Sequence, residues 1–323
     1  MCLFYRACME YRILGRSGFK VSVVGLGTWQ FSEAWGVLEY ERAKEIVSRA
    51  VELGINFFDT AAVYGRGKSE EFLGRAIKEL GVRDDVYIAT KLPGEFLSRD
   101  DVFRATDKCL KRLGVDVIDL MQVHWPPAWH NFPTCEYMRA IERLINLGKI
   151  RHVGLSNFPP ELIESARECL STTDIVSLQV RYNVVERDAE KEIIPYAERN
   201  KMTVLAWSPL AKGAVTGKYR PDNLPKFTDV RSEDPLFHPD NFKQVYELVR
   251  VIEDVAKKYG KTAPQVSLNW LVMASNTVVP IPGAKGPDQV SSNAGAAGWR
   301  MSYDDWRRID EVSKSLRITR VVW

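Results

Sequence analysis

Short apolar runs alternate with amphipathic segments along most of the chain. The apolar residues of Glu41 to Leu53 recur at helical spacing, and the mostly apolar run Ile55 to Asp59 follows directly. Short runs of this kind are typical of a parallel sheet that helices cover on its outer face. After a first apolar strand before Gly25, the pattern predicts strands at 55–59, 86–91, 117–124, 150–156, 175–180, 203–207 and 277–281. It predicts helices at 41–53, 69–80, 99–113, 134–147, 160–170, 189–200, 241–259, 263–273, 287–296 and 303–315.

The order of these elements predicts the architecture. Eight strand-then-helix units without a break in composition favour an α/β fold, a closed (β/α)8 TIM barrel forming a single domain over residues 11–323. An N-terminal β-hairpin is predicted from Tyr11 to Val24. Residues 1–10 are predicted to be an N-terminal extension, and residues 1–8 are expected to be dispensable for activity and stability. The one long connection, Ser208 to Pro239, follows the seventh strand, so we expect a lid or a disordered segment at the catalytic end.

Composition and charge narrow the function classes. Apolar residues make up 45% of the 323 residues and charged residues 27%, which is ordinary for a globular protein. The net charge of +3 is small, so a dedicated nucleic-acid binder is not indicated. No apolar run reaches the ~18 residues that a membrane span requires. A self-sufficient barrel predicts a monomer. An odd number of scattered cysteines without a C-x-x-C pair predicts reduced thiols and a cytoplasmic protein; they are Cys2, Cys8, Cys109, Cys135 and Cys169.

Four polar side chains stand at the ends of neighbouring predicted strands. Asp59 ends the second strand, and Tyr64 follows it in a loop that contains glycines. Lys91 ends the third strand and His124 the fourth. Taken singly, each has an ordinary explanation as a loop cap, a packing residue or a solvated charge. Because the carboxyl ends of parallel barrel strands share one face, we expect all four to converge on the same rim.

Together these residue types can protonate an oxygen on which negative charge develops. A tyrosine hydroxyl has a pKa near ~10, and we expect the Lys91 ammonium to lower the pKa of Tyr64 toward the working range. Asp59 would be the counterion of a buried Lys91, and a neutral His124 would donate a hydrogen bond to a substrate oxygen. The set contains no nucleophile–base pair for acyl transfer, and no metal spacing such as H-E-x-x-H occurs, so no metal site is expected. Reduction of a carbonyl fits, provided that a cofactor supplies hydride.

The motifs around these residues resemble those of the aldo-keto reductase family. The matching pieces occur in order from about Tyr11 to Trp299, at 25–29, 59–65, 91, 123–126, 148–157, 179–183, 207–210 and 281–285. The resemblance implies a barrel that reduces aldehyde or ketone carbonyls to alcohols by hydride transfer from NADPH. It implies Tyr64 as the general acid, tuned by Lys91 and Asp59, with His124 orienting the carbonyl. No convincing G-x-G-x-x-G fingerprint follows a strand, in keeping with a cofactor that lies across the barrel mouth.

The resemblance also implies where the ligands lie. Ser156, Asn157 and Gln179 would bond the carboxamide, and Trp207 would stack on the nicotinamide. The pyrophosphate would follow the loop after the seventh strand, and the adenosine end the segment after the eighth. The full implied cofactor set is Thr28, Trp29, Asp59, Ser156, Asn157, Gln179, Trp207, Ser208, Pro209, Leu210, Gly213, Lys218, Ile281, Gly283, Lys285, Gln289 and Asn293. The small-molecule carbonyl substrate is expected in an apolar or aromatic pocket against Trp29, Tyr64, Phe96, His124 and Trp125.

Cofactor preference and function class have alternatives at this point. Many members of the family carry an arginine where this chain has Gln289, which leaves Lys285 as the cation for a 2′-phosphate. We therefore predict that NADPH is preferred, with NADH possible but weaker. A cofactor-sensing regulatory subunit resembling potassium-channel β subunits would share the fold and the four rim residues. A barrel hydrolase or aldolase would instead use Lys91 as a Schiff-base nucleophile.

Overall fold

The computed structural model describes residues 9–127 and 132–319. The prediction that residues 1–8 are dispensable lies outside these residues and stays a prediction. An antiparallel hairpin comes first, as predicted, from β1 (Tyr11–Ile13) and β2 (Lys20–Ser22). Leu14 and Val21 of this hairpin are fully buried in the inner apolar cluster of the barrel. The hairpin therefore closes the end of the barrel at which the strands begin.

Parallel strands follow and pair in chain order around a barrel. Gly25 and Gly27 donate their N–H groups to the carbonyls of Pro280 and Pro282, at 2.9 and 3.1 Å, and so join the first barrel strand to the last. A Cβ on Gly27 would lie 2.8 Å from the Ile281 carbonyl oxygen, so this closure requires glycine. The predicted (β/α)8 fold is confirmed. The strands are β3 (Leu26–Gly27), β4 (Phe57–Asp59), β5 (Tyr87–Leu92), β6 (Ile118–Val123), β7 (Ile150–Ser156), β8 (Ile175–Arg181), β9 (Thr203–Trp207) and β10 (Val278–Pro280).

Amphipathic helices cover the outside of the barrel. In the first of them Ala43, Ile46, Val47 and Ala50 are fully buried, at the spacing that the sequence predicts. No helix within the described residues is long and apolar enough to cross a membrane. The helices are α1 (Tyr40–Glu52), α2 (Lys68–Leu80), α3 (Arg99–Leu113), α4 (Thr134–Asn146), α5 (Pro160–Glu168), α6 (Ile193–Arg199), α7 (Pro239–Tyr259), α8 (Ala263–Ala274), α9 (Pro287–Ala294) and α10 (Tyr303–Ser315).

One predicted helix is much shorter in the structure. The pattern predicts a helix over 189–200, but the chain forms a 3-10 turn at Asp188–Glu190 and begins α6 only at Ile193. Pro195 explains the difference, because proline lacks an N–H and is tolerated in the first turn of a helix but not in its interior. The first barrel strand is also displaced, to residues just after Gly25. The other predicted bounds agree with the structure to within about two residues.

The prediction of reduced cysteines is wrong for Cys135 and Cys169, and for Cys2 and Cys8 it lies outside the described residues. Cys135 and Cys169 form a disulfide, with their Cα atoms 4.9 Å apart. Cys135 lies in the first turn of α4 and Cys169 directly follows α5, so the packing of neighbouring helices brings the pair together. Their separation of 34 residues carries no motif that would have revealed it. Among the described residues Cys109 is free, and it is buried. The cysteines of this chain therefore give no support to a cytoplasmic location.

The core has two layers, one inside and one outside the barrel wall. The inner layer is a small apolar cluster at the hairpin end, and it includes Phe57, Leu120 and Leu205. The outer layer lies between the strands and the helices and is much larger. Because the inner apolar cluster occupies the hairpin end, the opposite end is available to buried polar side chains, among them Asp59 and Lys91.

Candidate active site

Asp59, Lys91 and Tyr64 meet beyond the carboxyl ends of β4 and β5. Lys91 Nζ lies 2.5 Å from Asp59 Oδ1, 2.7 Å from the Thr60 carbonyl oxygen and 3.4 Å from Tyr64 Oη. Both ions are buried, with Lys91 0% and Asp59 2% exposed. A buried ion pair is tolerated when further hydrogen bonds satisfy both partners, as they do here. Three of the four predicted rim residues are thus in direct contact.

The electrostatics keep Lys91 charged and Tyr64 protonated. Burial alone would lower the pKa of Lys91, but Asp59 and Tyr64 together raise it above its usual value. Burial raises the pKa of Tyr64, and the Lys91 ammonium offsets only part of this rise. The expectation of a lowered Tyr64 pKa is therefore wrong as a net effect, although Lys91 acts in the expected direction. Tyr64 keeps its proton at neutral pH and has a cation beside the oxygen that would lose it.

His124 completes the rim at the end of β6. Its ring lies edge-on to Tyr64, with 5.7 Å between the ring centroids, and packs on Trp125 at 4.3 Å. Burial, aided by the charge of Lys91, lowers the pKa of His124 to about 2. The imidazole is therefore neutral and retains one N–H to donate. Its Nδ1 is buried and has no hydrogen-bond partner among the residues that the structure describes.

A cavity of about 700 Å³ opens at this end of the barrel, and nearly the whole predicted site lines it. Lys91 lies behind the wall, covered by Asp59 and Tyr64. The prediction that Phe96 lines the substrate pocket is wrong, because Phe96 is 59% exposed and does not line the cavity. In the loop after β5 the Glu95 carboxylate accepts a hydrogen bond from Trp125 Nε1 at 3.1 Å. The predicted residues in the wall are Thr28, Trp29, Asp59, Tyr64, His124, Trp125, Ser156, Asn157, Gln179, Trp207, Ser208, Pro209, Leu210, Gly213, Lys218, Ile281, Gly283, Lys285, Gln289 and Asn293.

Asn157 ties together the ends of β6, β7 and β9. Its Nδ2 donates to the His124 carbonyl oxygen and to Ser156 Oγ, each at 3.0 Å. Its Oδ1 accepts from Trp207 Nε1 at 3.0 Å. The Arg181 guanidinium lies over the Trp207 ring, 5.0 Å from its centroid. The indole is thus held at its edge and stacked against a cation, while the ring borders the cavity.

Gln179 and Ser156 present complementary groups to the cavity. Gln179 Nε2 donates to Asp59 Oδ2 at 2.8 Å, which leaves Gln179 Oε1 as an acceptor. Ser156 Oγ accepts from Asn157, so its own hydrogen remains to be donated. A primary amide offers one acceptor and one donor group. The pair therefore fits a carboxamide.

The loop after β9 has an unusual backbone. Ser208, Ala211 and Lys212 have φ of 48°, 48° and 52°, and Gly213 has φ of 98°. Non-glycine residues in this region cost roughly 1–3 kcal/mol each, so the surrounding structure must hold them. Lys212 Nζ is anchored to Asp234 Oδ2 at 2.6 Å. Successive N–H groups near left-handed residues form concavities that suit an anion such as a pyrophosphate.

Cations gather at the far end of the cavity. Lys285 Nζ donates to the Trp35 carbonyl oxygen at 2.7 Å. Arg231 lies over the Trp35 ring, 5.6 Å from its centroid, and pairs with Asp229 at 2.5 Å. Burial and the nearby Arg231 charge lower the pKa of Lys285. Lys218 lines the same cavity, so a bound anion would relieve repulsion among these cations.

Gln122 and Lys212 are among the side chains at the site that the sequence interpretation missed. Gln122 is buried on β6 and donates to Asp59 Oδ2 at 3.1 Å. It stands two residues before His124, so the alternation of the strand places both on one face. That alternation is the signal that would have found Gln122. No sequence pattern marks Lys212, because its ion pair with Asp234 depends on the irregular conformation of the loop.

Known proteins match most of the length of this chain. The model of the aldo/keto reductase family matches residues 23–314. Aldo-keto reductase YhdN of Bacillus subtilis is 33% identical over 314 residues, which cover 94% of this chain and 93% of the relative. A putative voltage-gated potassium channel subunit beta of Schizosaccharomyces pombe is also 33% identical, over 327 residues that cover 94% and 93% of the two chains.

Solved structures agree with this assignment. The glycerol dehydrogenase AKR11B4 from Gluconobacter oxydans matches with a TM-score of 0.87 at 31% identity, covering 97% of this chain and 98% of its own. An aldo-keto reductase from Klebsiella pneumoniae, solved in complex with NADPH, matches with a TM-score of 0.77 at 26% identity, covering 98% and 99%. Fold, rim and relatives together define an NAD(P)H-dependent oxidoreductase. The chain belongs to the aldo-keto reductase family.

Proposed function

We propose that the protein reduces the carbonyl group of an aldehyde or ketone to an alcohol, with NADPH as hydride donor and Tyr64 as general acid. The observation that carries this proposal is the Lys91 ammonium, which is paired with Asp59 and lies 3.4 Å from the Tyr64 hydroxyl. A cation in this place stabilises the phenolate that Tyr64 becomes when it gives up its proton, and it acts in a water-poor setting. The reaction balances: one hydride and one proton convert the carbonyl to the alcohol, and NADP⁺ is the other product.

Each residue of the rim has one task. NADPH, when bound, supplies hydride to the carbonyl carbon. The neutral His124 donates an N–H to the carbonyl oxygen and so orients it. Tyr64 donates its proton to the same oxygen as negative charge develops there. Asp59 keeps Lys91 charged, and that charge lowers the free energy of the Tyr64 phenolate.

The wall of the cavity fits a nicotinamide dinucleotide along its length. The Ser156 hydroxyl and Gln179 Oε1 would bind the carboxamide, and Trp207 would offer its ring to the nicotinamide. The loop after β9, with Ser208, Ala211, Lys212 and Gly213 in left-handed conformations, would face the pyrophosphate. Lys285 would meet a 2′-phosphate, which favours NADPH over NADH. Gln289, in the place of an arginine, keeps that preference modest.

The substrate we propose is a small carbonyl compound with an apolar or aromatic substituent. Trp29 lies with its ring centroid 6.1 Å from that of Tyr64 and 5.4 Å from that of Trp35. Trp125 borders the same cavity beside His124. Aromatic faces around the reacting oxygen suit apolar substituents and exclude water.

The test is turnover of a substrate panel. Protein, NADPH and a set of aromatic aldehydes and diketones are mixed, the loss of NADPH absorbance is followed, and the alcohol is identified by chromatography. Consumption that requires a carbonyl compound supports the reductase. Tight NADPH binding without turnover of any compound would favour the cofactor-sensing regulatory subunit instead. The barrel hydrolase or aldolase alternative is disfavoured, because Lys91 is buried and its Nζ is engaged by three oxygens.

A further inference from the structure

A buried amide beneath the rim connects Asp59 to the carboxamide side of the cavity. Gln122 Nε2 donates to Asp59 Oδ2 at 3.1 Å, and Gln122 Oε1 accepts from Gln179 Nε2 at 3.0 Å. Gln179 Nε2 also donates to Asp59 Oδ2, at 2.8 Å. Asp59, Gln122 and Gln179 thus form a closed triangle of hydrogen bonds, which we call the amide triangle. All three side chains are at most 2% exposed.

The amide triangle determines which end of Gln179 faces the cavity. Gln179 Nε2 has two hydrogens, and one is directed to Asp59 and the other to Gln122. A rotation of the amide by half a turn would lose both bonds and place Gln179 Oε1 against two other oxygens, Asp59 Oδ2 and Gln122 Oε1. Gln179 Oε1 is therefore the group that remains for a ligand. Without Gln122, only one bond would oppose that rotation.

The amide triangle also acts on the charge of the rim. Asp59 Oδ1 accepts from Lys91 at 2.5 Å, and Asp59 Oδ2 accepts from the two amides. Gln122 therefore binds and holds the Asp59 oxygen that faces away from Lys91, so that Oδ1 stays directed at the ammonium.

The barrel wall is shaped to admit this side chain. A Cβ on Gly154, on the neighbouring strand β7, would lie 3.2 Å from Gln122 Cγ and 2.3 Å from Ser177 Oγ. Glycine at this position avoids an overlap with Ser177 and a tight contact with Gln122.

We propose that Gln122 is a positioning residue with two effects. It fixes Gln179 so that Oε1 accepts a hydrogen bond from the amino group of the nicotinamide carboxamide. It also donates a hydrogen bond to the Asp59 carboxylate behind Tyr64. The inference rests on the proposed function, because it takes a carboxamide as the ligand. A residue that only fills space would have neither effect.

Ligand discrimination tests the first effect. NADP⁺ and its 3-acetylpyridine analogue, whose methyl ketone lacks the carboxamide amino group, are titrated against the protein by tryptophan fluorescence. The unaltered protein should bind the analogue about fivefold more weakly, which corresponds to one hydrogen bond. Gln122→Met retains the side-chain length but no polar group, and it should lose most of this difference. Gln122→Glu retains an acceptor for Gln179 Nε2 and should preserve the difference.

The pH profile tests the second effect. In Gln122→Glu a second carboxyl faces Asp59. Because two adjacent negative charges repel each other, one of the two carboxyls keeps its proton up to a higher pH. The acid limb of kcat should therefore move to higher pH, with the KM for the carbonyl substrate unchanged. Ser177→Ala is the matched control, because Ser177 is buried in the same wall and its Oγ has no hydrogen-bond partner in the described ranges. It should alter neither readout.

Thermal unfolding of each variant first establishes that it is folded. A folded Gln122→Met variant that discriminates the two nucleotides like the unaltered protein would overturn the first effect, and a folded Gln122→Glu variant that keeps the unaltered pH profile would overturn the second. If the unaltered protein binds neither nucleotide, the proposed function fails and this inference fails with it. That result is recognisable, because it appears before any residue is changed.

Discussion

Replacing Asp59 by asparagine removes one charge from the rim and almost nothing of its shape. Lys91 Nζ would lose its negatively charged partner at 2.5 Å, and its remaining oxygens, those of Thr60, Tyr64 and the new amide, would all be neutral. Removing one partner of a buried ion pair costs about 3–5 kcal/mol. Lys91 escapes part of this cost by releasing its proton, since a neutral amine tolerates burial. Its pKa, which Asp59 helps to hold above the usual value, would then fall below it.

The fall in the Lys91 pKa has consequences for stability and for pH dependence. A loss of about 3 kcal/mol corresponds to a Tm lower by about 4–5 °C in a chain of this size. In the unaltered protein the raised Lys91 pKa keeps the ammonium charged well into the alkaline range, and its charge is lost only as pH rises through that pKa. In Asp59→Asn the charge is lost at lower pH. We therefore expect kcat for carbonyl reduction to fall by about 10²-fold as pH rises through the neutral range.

The assay is kcat against pH, from about pH 5 to about pH 9, for three proteins. Glu70→Gln is the matched control, because Glu70 is equally buried and pairs with Arg112 at 2.5 Å but lies outside the cavity. It should lower the Tm by a similar amount and leave kcat unchanged. An Asp59→Asn variant with the pH profile and kcat of the unaltered protein would refute the electrostatic role of Asp59.

Three further predictions concern the far end of the cavity, His124 and the disulfide. Lys285→Met should lower kcat/KM by about tenfold with NADPH and leave it unchanged with NADH; equal losses with both would contradict a contact to the 2′-phosphate. Because the pKa of His124 is lowered to about 2, kcat should show no ionisation near the ~6.5 of free histidine, and a step there would contradict a neutral ring. Reduction of the Cys135–Cys169 bond opens a loop of 34 residues and should cost about 4 kcal/mol, or about 6 °C in Tm by calorimetry. A Tm that is indifferent to reductant would show that the bond does not stabilise the fold.

The rim could be predicted because the direction of the strands determines it. Once parallel strands are recognised from their apolar runs, residues such as Asp59, Lys91 and His124 that end them must share one face. Only Tyr64 depends on a loop, and that loop is short. The segment after β9 could be placed at the cavity in the same way, because it follows the carboxyl end of a strand, and its residue Arg231 does line the cavity.

Features that depend on tertiary packing could not be predicted in this way. The Cys135–Cys169 bond follows from the contact of two helices, and a separation along the chain does not encode it. Phe96 is apolar, but the course of its loop leaves it at the surface. The net pKa of Tyr64 depends on the balance between burial and the Lys91 charge, and only the coordinates give the depth of burial.

The central claim is that Tyr64 is the proton donor. Tyr64→Phe tests it most directly, because this change removes a single oxygen, the one that lies 3.4 Å from Lys91 Nζ. NADPH binding is measured by fluorescence and kcat by NADPH consumption with the best carbonyl substrate of the panel. We predict an NADPH Kd within about twofold of the unaltered protein and a kcat lower by at least about 10²-fold. A Tyr64→Phe protein that binds NADPH and retains a kcat within about tenfold of the original would contradict the account.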